Sequence, residues 1–160
     1  MKRIEFEKFL PLLSSELYSF AFVLIPDDLQ AGQLVVDSIQ AFLIQKRETI
    51  ELLFQSKNKE NNIEFNRIKK ETLQLVYELA KKRFHQIRLS IEETEDKRDF
   101  FHLEFDEKAS LYLKDKAKMT NEEIAILTMR TKSEVLASLF SARTKMLRIV
   151  PFVSPEENRV

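Results

Sequence analysis

A single glycine, Gly32, occurs among the 160 residues of this chain. Tight turns between β-strands most often need glycine, because it adopts positive φ without steric cost. The chain also has only four prolines, whereas residues that favour helices, such as Leu, Glu, Lys, Ala and Gln, are plentiful. The sequence therefore predicts an all-α protein.

Composition also excludes several kinds of site and of protein. The chain has no cysteine, which excludes disulfides, thiolate chemistry and zinc sites built on cysteine. Lys and Arg together number 26, as do Asp and Glu, so attraction to nucleic acid requires a local patch of cations. The longest apolar run, residues 17–25, is too short to span a membrane, and the first residues make a poor signal peptide. We expect a cytoplasmic protein without a membrane partner.

Three helices are predicted in the N-terminal part of the chain. The first covers about residues 12–25, with Pro11 in its first turn and Pro26 after its end. Asp27 or Asp28 can cap the second helix, which carries apolar residues at helical spacing as far as residue 43. The polar residues 56–62 predict a loop, and a third helix follows over about residues 65–91.

Domain boundaries are predicted from the distribution of charge. Residues 92–99 are charged and lack large apolar side chains, so we interpret them as a linker. The linker would join an N-terminal three-helix unit, residues 1–91, to a C-terminal helix-turn-helix unit, residues 100–150. A solvated helical extension is the alternative interpretation of 92–99. The tail, residues 151–160, is predicted to be frayed.

Two helix starts lie close together in the C-terminal unit. Each is a capping box, in which a Thr precedes a Glu by three residues, and the pairs are Thr120 with Glu123 and Thr131 with Glu134. The first helix has room for about two turns, and the second for about five, because no Gly or Pro interrupts it before Pro151. A short helix, a break at Met129 and a longer helix form the helix-turn-helix pattern, whose second helix enters a DNA major groove in many proteins.

The spacing of apolar and polar residues through and around this pair resembles that of a known family. The positions that carry it are Leu103, Lys108, Leu113, Lys114, Met119, Thr120, Glu123, Ile124, Ala125, Val135, Leu139, Ala142, Arg143 and Met146. They resemble the fourth conserved region of small bacterial sigma factors of the extracytoplasmic-function group. Residues 17–21 and 31–39 are similar to the family's second region, which grips RNA polymerase, and residues 75–81 are a weaker match to its promoter-melting helix. The resemblance implies a transcription regulator that binds polymerase and promoter DNA.

The residues that would touch the polymerase depart from the family's pattern. By resemblance, the candidates are Gln33, Val36, Asp37 and Gln40. Asp37 matches a polar residue of the family, whereas Gly32, Gln33 and Val36 replace three others. Inside a helix, Gly32 also costs about 1 kcal/mol relative to Ala.

Cations on two helices are the candidates for DNA binding. On the third helix, Lys81, His85 and Arg88 share one face. The complete set is Lys81, Lys82, Arg83, His85, Arg88, Lys132, Arg143, Lys145 and Arg148. Lysine-rich helical faces are more often simply solvated than bound to nucleic acid, and that alternative stays open.

The second helix of the C-terminal pair lacks outward side chains that read bases. Where the family places Lys and Arg, this chain has Leu136, Ser138 and Ser141, with Phe140 between them, although base recognition needs residues such as Arg, Asn or Gln. Leu136 and Phe140 form an apolar stripe, which is typical of a packing surface. The stripe either packs on the chain's own N-terminal unit or binds a protein partner or a second copy of the chain.

Three hypotheses about function follow. In the first, the chain is a sigma-factor-like regulator that binds RNA polymerase, promoter DNA or both through the helix-turn-helix. In the second, a sigma-like fold without base readout acts as a protein-interaction module or homodimer through Leu136 and Phe140. The third is an unrelated helical bundle. We rank the first slightly higher for ancestry and broad role, and the second higher where DNA readout is concerned.

No catalytic or metal site is predicted. His85 and His102 stand seventeen residues apart, with no carboxylate cluster at ligand spacing. Nothing resembles a phosphate-binding glycine loop. The paired acids at residues 27–28 and 122–123 lie at helix starts, where carboxylates are favourable, and are better interpreted as caps than as acid/base pairs. We therefore expect no enzymatic activity, no cofactor, no metal and no small-molecule substrate.

Overall fold

Helices form the whole of the regular structure in the part of the chain that the computed structural model describes, residues 3–46, 61–91 and 102–149. They are α1 (Arg3–Leu24), α2 (Asp28–Gln45), α3 (Asn61–Ile91), α4 (Phe105–Leu111), a π-helical turn (Tyr112–Lys116), α5 (Asn121–Thr128) and α6 (Lys132–Ile149). No strand occurs among these residues. The prediction of an all-α fold is confirmed.

Helix α1 is the central, buried helix that its apolar pattern predicts. Leu17, Phe20 and Leu24 are fully buried. The helix begins nine residues earlier than predicted, so Pro11 lies in its interior and not in its first turn. Because proline has no N–H, the ring removes one backbone hydrogen bond of the helix. Packing of the buried face stabilises the helix in spite of that loss.

The start of α2 agrees with the prediction, whereas α3 begins earlier than predicted. Asp27 is the N-cap of α2, and its carboxylate accepts a hydrogen bond from the Gln30 N–H at 2.8 Å, as expected from the sequence. Helix α3 begins at Asn61, four residues before the predicted start, so Asn61 and Asn62 are helical and do not belong to a loop. Asparagine is well tolerated at a helix start. The rest of the predicted loop, residues 56–60, lies outside the described residues.

Both capping boxes of the C-terminal pair form. The Thr120 hydroxyl accepts from the Glu123 N–H at 3.2 Å, while the Glu123 carboxylate accepts from the Thr120 N–H at 2.9 Å. Thr131 and Glu134 make the same two bonds at 3.2 and 2.7 Å. The predicted short helix followed by a longer one is therefore confirmed, as α5 and α6. Met129 closes α5 in the left-handed region, with φ 52° and ψ 42°.

One continuous hydrophobic core joins the N-terminal and C-terminal helices. Helices α1, α2 and α3 pack on one another and α4 packs on α6, while α1 also contacts α4 and α3 contacts α5. Aromatic rings cross between the two groups: the Phe20 and Tyr112 centroids are 5.1 Å apart, and those of Tyr77 and Phe105 are 5.6 Å apart. The predicted linker, 92–99, and the predicted tail, 151–160, lie outside the described residues, and the domain boundaries stay a prediction.

The described helices do not provide a transmembrane segment. None of them combines the length and the apolar composition that a bilayer crossing needs.

Candidate functional site

The outward face of α6 carries large apolar side chains. Leu136 is 46% exposed, and Phe140 and Leu147 are each 75% exposed. We call these three residues the α6 stripe. Val135, Leu139 and Ala142, on the adjacent face of the helix, are buried, in agreement with the helical period. Leu136 and Phe140 therefore do not pack on the N-terminal helices that the structure describes.

Two serines that the sequence places outward on α6 instead face the protein. The Ser138 hydroxyl accepts a hydrogen bond from the Arg130 guanidinium, and the Ser141 hydroxyl donates one to Glu107. The same guanidinium donates to the Ser110 hydroxyl at 3.2 Å and to the Glu134 carbonyl at 2.9 Å. Arg130 thus ties the turn between α5 and α6 to α4. Sequence reasoning missed this role because the partners come from two different helices.

A buried carboxylate on α4 holds one of the predicted DNA-binding cations. Lys145 donates to both carboxylate oxygens of Glu107, at 2.8 and 2.9 Å. Burial alone would raise the pKa of Glu107, but hydrogen bonds from Lys145, Ser141 and the Glu104 N–H together lower it below its ordinary value. Glu107 is therefore ionised at neutral pH and needs the Lys145 ammonium. This pairing leaves Lys145 poorly placed to bind phosphate.

The other cations of α6 make looser ion pairs. Lys132 pairs with Glu122, and the Arg143 guanidinium lies 3.1 Å from a carboxylate oxygen of Asp115. All four side chains are more than half exposed, so both pairs contribute little and can be exchanged for other anions. The side chain of Arg148, also a candidate, lies outside the described residues.

Carboxylates of the chain pair with two of the three predicted α3 cations whose side chains are described. Lys81 lies 3.6 Å from an oxygen of Asp106 and donates to the Tyr77 hydroxyl at 3.2 Å, while Arg83 pairs with Asp37. Lys82 is exposed and has no such partner among the described side chains. The side chains of His85 and Arg88 are not among those described, so their predicted role stays a prediction.

Asp106 joins α3 to the C-terminal helices. The Tyr77 hydroxyl donates to Asp106 at 2.7 Å, and the Arg130 Nε lies 3.9 Å from the other carboxylate oxygen. Burial, together with this hydrogen bond, raises the pKa of Tyr77 well above its ordinary value. The tyrosine therefore stays a neutral donor, and the contact is structural in character.

The four polymerase-binding candidates on α2 divide into two pairs. Asp37, the residue that matches the family, accepts from the Gln33 side chain at 2.9 Å and also pairs with Arg83 of α3. Val36 is 48% exposed, and Gln40 is exposed as well. The face that α2 offers to a partner is consequently uncharged.

The structure offers little for a metal or a small ligand. Among the described residues, no group of three or more His, Asp or Glu side chains is placed to hold a metal ion. A cavity of about 300 Å³ lies between α1, α3 and the π-helical turn, and its lining includes Glu16, Lys69 and Tyr112. Glu16 and Lys69 pair with each other, and Lys116 also lines the cavity.

Comparison with known proteins identifies the fold. No protein-family model matches the chain, and no curated protein matches it either. Among solved structures, the chain is similar to the sigma factor RpoE from Bartonella quintana, determined in complex with the anti-sigma factor NepR, with a TM-score of 0.63. The chain shares its fold with a sigma factor. The two sequences are 16% identical, and the match covers 94% of this chain and 99% of RpoE.

The sigma-factor fold agrees with the resemblance noted in the apolar positions of the sequence. At this level of identity the likeness concerns the fold, so function must be argued from the side chains on its surfaces. Among the described side chains, most candidate cations of α3 and α6 are paired within the chain. The outward faces of α2 and α6 also carry exposed apolar side chains.

Proposed function

We propose that this protein is a transcription regulator of sigma-factor fold that acts by binding another protein through the α6 stripe, without reading bases. The observation that carries the proposal is the exposure of Phe140, 75%, on the outward face of the second helix of the pair. A phenylalanine there could contact at most a thymine methyl group, whereas recognition of the other bases requires hydrogen-bonding side chains. Burial of such a ring against a partner contributes about 1.5–3 kcal/mol.

The spacing of the stripe indicates the shape of the partner. Leu136, Phe140 and Leu147 follow one another at i, i+4 and i+11, the spacing at which one helix face contacts a helix or a groove. The sigma factor that shares this fold was solved with an anti-sigma factor bound. We therefore propose a regulatory protein of the anti-sigma kind as the class of partner.

Binding to promoter DNA or RNA polymerase is the second candidate function. DNA binding is favoured by Lys82 on α3, which is exposed and unpaired among the described side chains. Polymerase binding is favoured by the exposed Val36 and Gln40 on α2. Against DNA readout stands the pairing of Lys145 with the buried Glu107. Any DNA binding that remains would rest on phosphate contacts, which are not specific for sequence.

The test compares two aspartate substitutions on neighbouring helices. The partner is captured from cells with the tagged full chain, purified, and titrated against wild type, Phe140→Asp and Ile126→Asp. We expect Phe140→Asp to weaken binding by about 10–100-fold, which corresponds to burial of one aromatic side chain. Ile126 is 73% exposed on α5, so its substitution is a matched control that should bind as wild type. Circular dichroism verifies that both variants fold.

The competing function predicts a different result. If the chain binds duplex DNA, affinity should fall steeply between low and moderate salt, and Lys82→Ala with Arg143→Ala should flatten that dependence. Salt-dependent DNA binding together with an unaltered protein affinity of Phe140→Asp would contradict the proposal and support the second candidate.

A further inference from the structure

Two cations lie on the same face of α6 as the α6 stripe. Lys132 stands four residues before Leu136. Arg143 likewise stands four residues before Leu147, so each cation lies one helical turn from a leucine of the stripe. Both cationic side chains are more than half exposed. The outward face of α6 is therefore apolar and cationic at once.

Helix α6 offers no carboxylate on this face. Its single acidic residue, Glu134, is two residues from Leu136, which places it on nearly the opposite side of the helix. The Glu134 carboxylate accepts hydrogen bonds from the N–H and the hydroxyl of Thr131, at 2.7 and 2.8 Å. A second copy of the chain packed through the same face would bring cations against cations, and like charges placed together disfavour an interface.

The carboxylates that balance these cations come from other elements and are loosely held. Lys132 pairs with Glu122 of α5, and Arg143 pairs with Asp115 of the π-helical turn. The side chains of Glu122 and Asp115 are also more than half exposed, so their release into water costs little. Carboxylates of a partner can therefore take their place.

A third cation makes this edge of α6 positive. The hydrogen bond from Lys132 is the main cause that lowers the pKa of Glu122, and the charge of Lys114 lowers it further. Lys114 makes no ion pair of its own among the described residues. Three cations thus face two carboxylates, which leaves a surplus of one positive charge beside the α6 stripe.

From this arrangement we propose that the α6 stripe binds an amphipathic helix that carries two carboxylates about three turns apart beside its apolar face. Eleven residues separate Lys132 from Arg143, about 16 Å along the helix axis. Carboxylates at that spacing pair with both cations while the apolar face covers the stripe. The inference rests on the proposed function and adds the charge and the length of the binding segment, at least about twelve residues.

Other occupants satisfy only half of this face. A DNA backbone would pair with the cations but would leave the Phe140 ring in water, because phosphate contacts cover no apolar surface. A neutral helix would cover the stripe but would leave the cations with the carboxylates that they already have.

The experiment measures, by fluorescence anisotropy, the binding of two labelled synthetic peptides to the full chain. Both peptides are amphipathic helices of about 16 residues with a leucine-rich face. One carries two Glu eleven residues apart, and the other carries Gln at the same two positions. At low salt, wild type should bind the acidic peptide about three- to tenfold tighter than the neutral one, and the difference should shrink at high salt.

Matched variants assign this difference to the charges on α6. Lys132→Gln together with Arg143→Gln should remove it, so that both peptides bind alike. Asp115→Asn together with Glu122→Gln should increase it about threefold further, because the chain's own carboxylates no longer compete. Phe140→Asp should weaken the binding of both peptides about tenfold or more. Circular dichroism verifies that every variant folds.

Failure of this inference is distinguishable from failure of the proposed function. If both peptides bind wild type equally and Phe140→Asp weakens both, the stripe binds protein without selecting charge, and this inference alone is overturned. Acidic-peptide binding that Phe140→Asp leaves unchanged also overturns it, whereas the proposed function is judged on the captured partner. An acidic peptide that does not bind at up to about 500 µM overturns it as well. Duplex DNA that loses affinity in the Lys132→Gln, Arg143→Gln variant would then identify nucleic acid as the ligand of this face.

Discussion

At the scale of single residues, Lys108 is the only lysine that is buried among the described residues. It is 3% exposed, and its ammonium donates a hydrogen bond to the Leu24 carbonyl, at the end of α1, at 3.2 Å. Burial lowers the pKa of Lys108 to about 8, although the charge of Glu104 partly opposes that change. The chain therefore keeps a largely protonated amine inside its core at neutral pH, at a cost in stability.

Lys108 should make the free energy of unfolding rise with pH above about pH 8. Between pH 8 and its ordinary pKa of 10.5, the unfolded lysine binds a proton that the folded one has lost, so the free energy of unfolding increases with pH. From urea unfolding at pH 7.5 and 9.5, we expect a gain of about 1–2 kcal/mol in wild type and almost none in Lys108→Met. A methionine variant with the wild-type slope would disprove this explanation.

At Met129, the position of the helix break can be predicted from the sequence, but the backbone conformation cannot. Its position at a break between two helices is visible from the flanking capping boxes, since both signals lie within a few residues. The left-handed backbone of Met129, with φ 52°, has no such signal, because a methionine rarely adopts it. The turn is imposed by the packing of α5 and α6 on the rest of the molecule.

At the scale of helices, α6 is fixed to α4 through a buried charge. Glu107 and Lys145 are 38 residues apart in sequence, and no periodicity or motif links them. For this reason sequence reasoning assigned Lys145 to DNA and placed Ser141 outward, whereas the helical period by itself accounts for the burial of Val135, Leu139 and Ala142. Patterns within a helix give the buried face, but polar partners on another helix require the tertiary structure.

Loss of Lys145 should destabilise the protein much more than loss of a neighbouring cation. Lys145→Ala leaves the buried Glu107 carboxylate without its counter-ion, which we expect to cost about 1–3 kcal/mol. Lys132→Ala removes only a pair with the exposed Glu122 and should cost about 0.5 kcal/mol or less. Chemical denaturation of the two variants beside wild type measures the difference. Equal losses would mean that Glu107 finds another donor.

At the scale of the whole molecule, the two groups of helices share their core. The order of the parts was predicted from sequence, because apolar spacing survives substitution, but their mutual packing was not. Tyr77 with Asp106 and Lys108 with Leu24 join residues 29 and 84 positions apart. Lys108 and Tyr77 belong to stretches that carry the family resemblance, but nothing in the sequence identifies their partners. From the sequence alone, Tyr77 and Lys108 are ordinary members of amphipathic helices.

A shared core should make the protein unfold in a single step. We expect one calorimetric transition whose van't Hoff and calorimetric enthalpies agree, because α1 and α3 lose contacts with α4 and α5 when either group opens. Two separate transitions would instead support independent domains on either side of residues 92–99.

The burial of Lys108 and Tyr112 against α1 also has a consequence for biosynthesis. Phe20 and Leu24 leave the ribosome first, yet the residues that complete their surroundings follow 84 or more positions later. At about 5–20 residues per second, that interval lasts roughly 4–17 s. During this interval, the nascent chain exposes apolar surface of α1 that is buried in the folded protein. Early binding by a chaperone is therefore valuable to this protein.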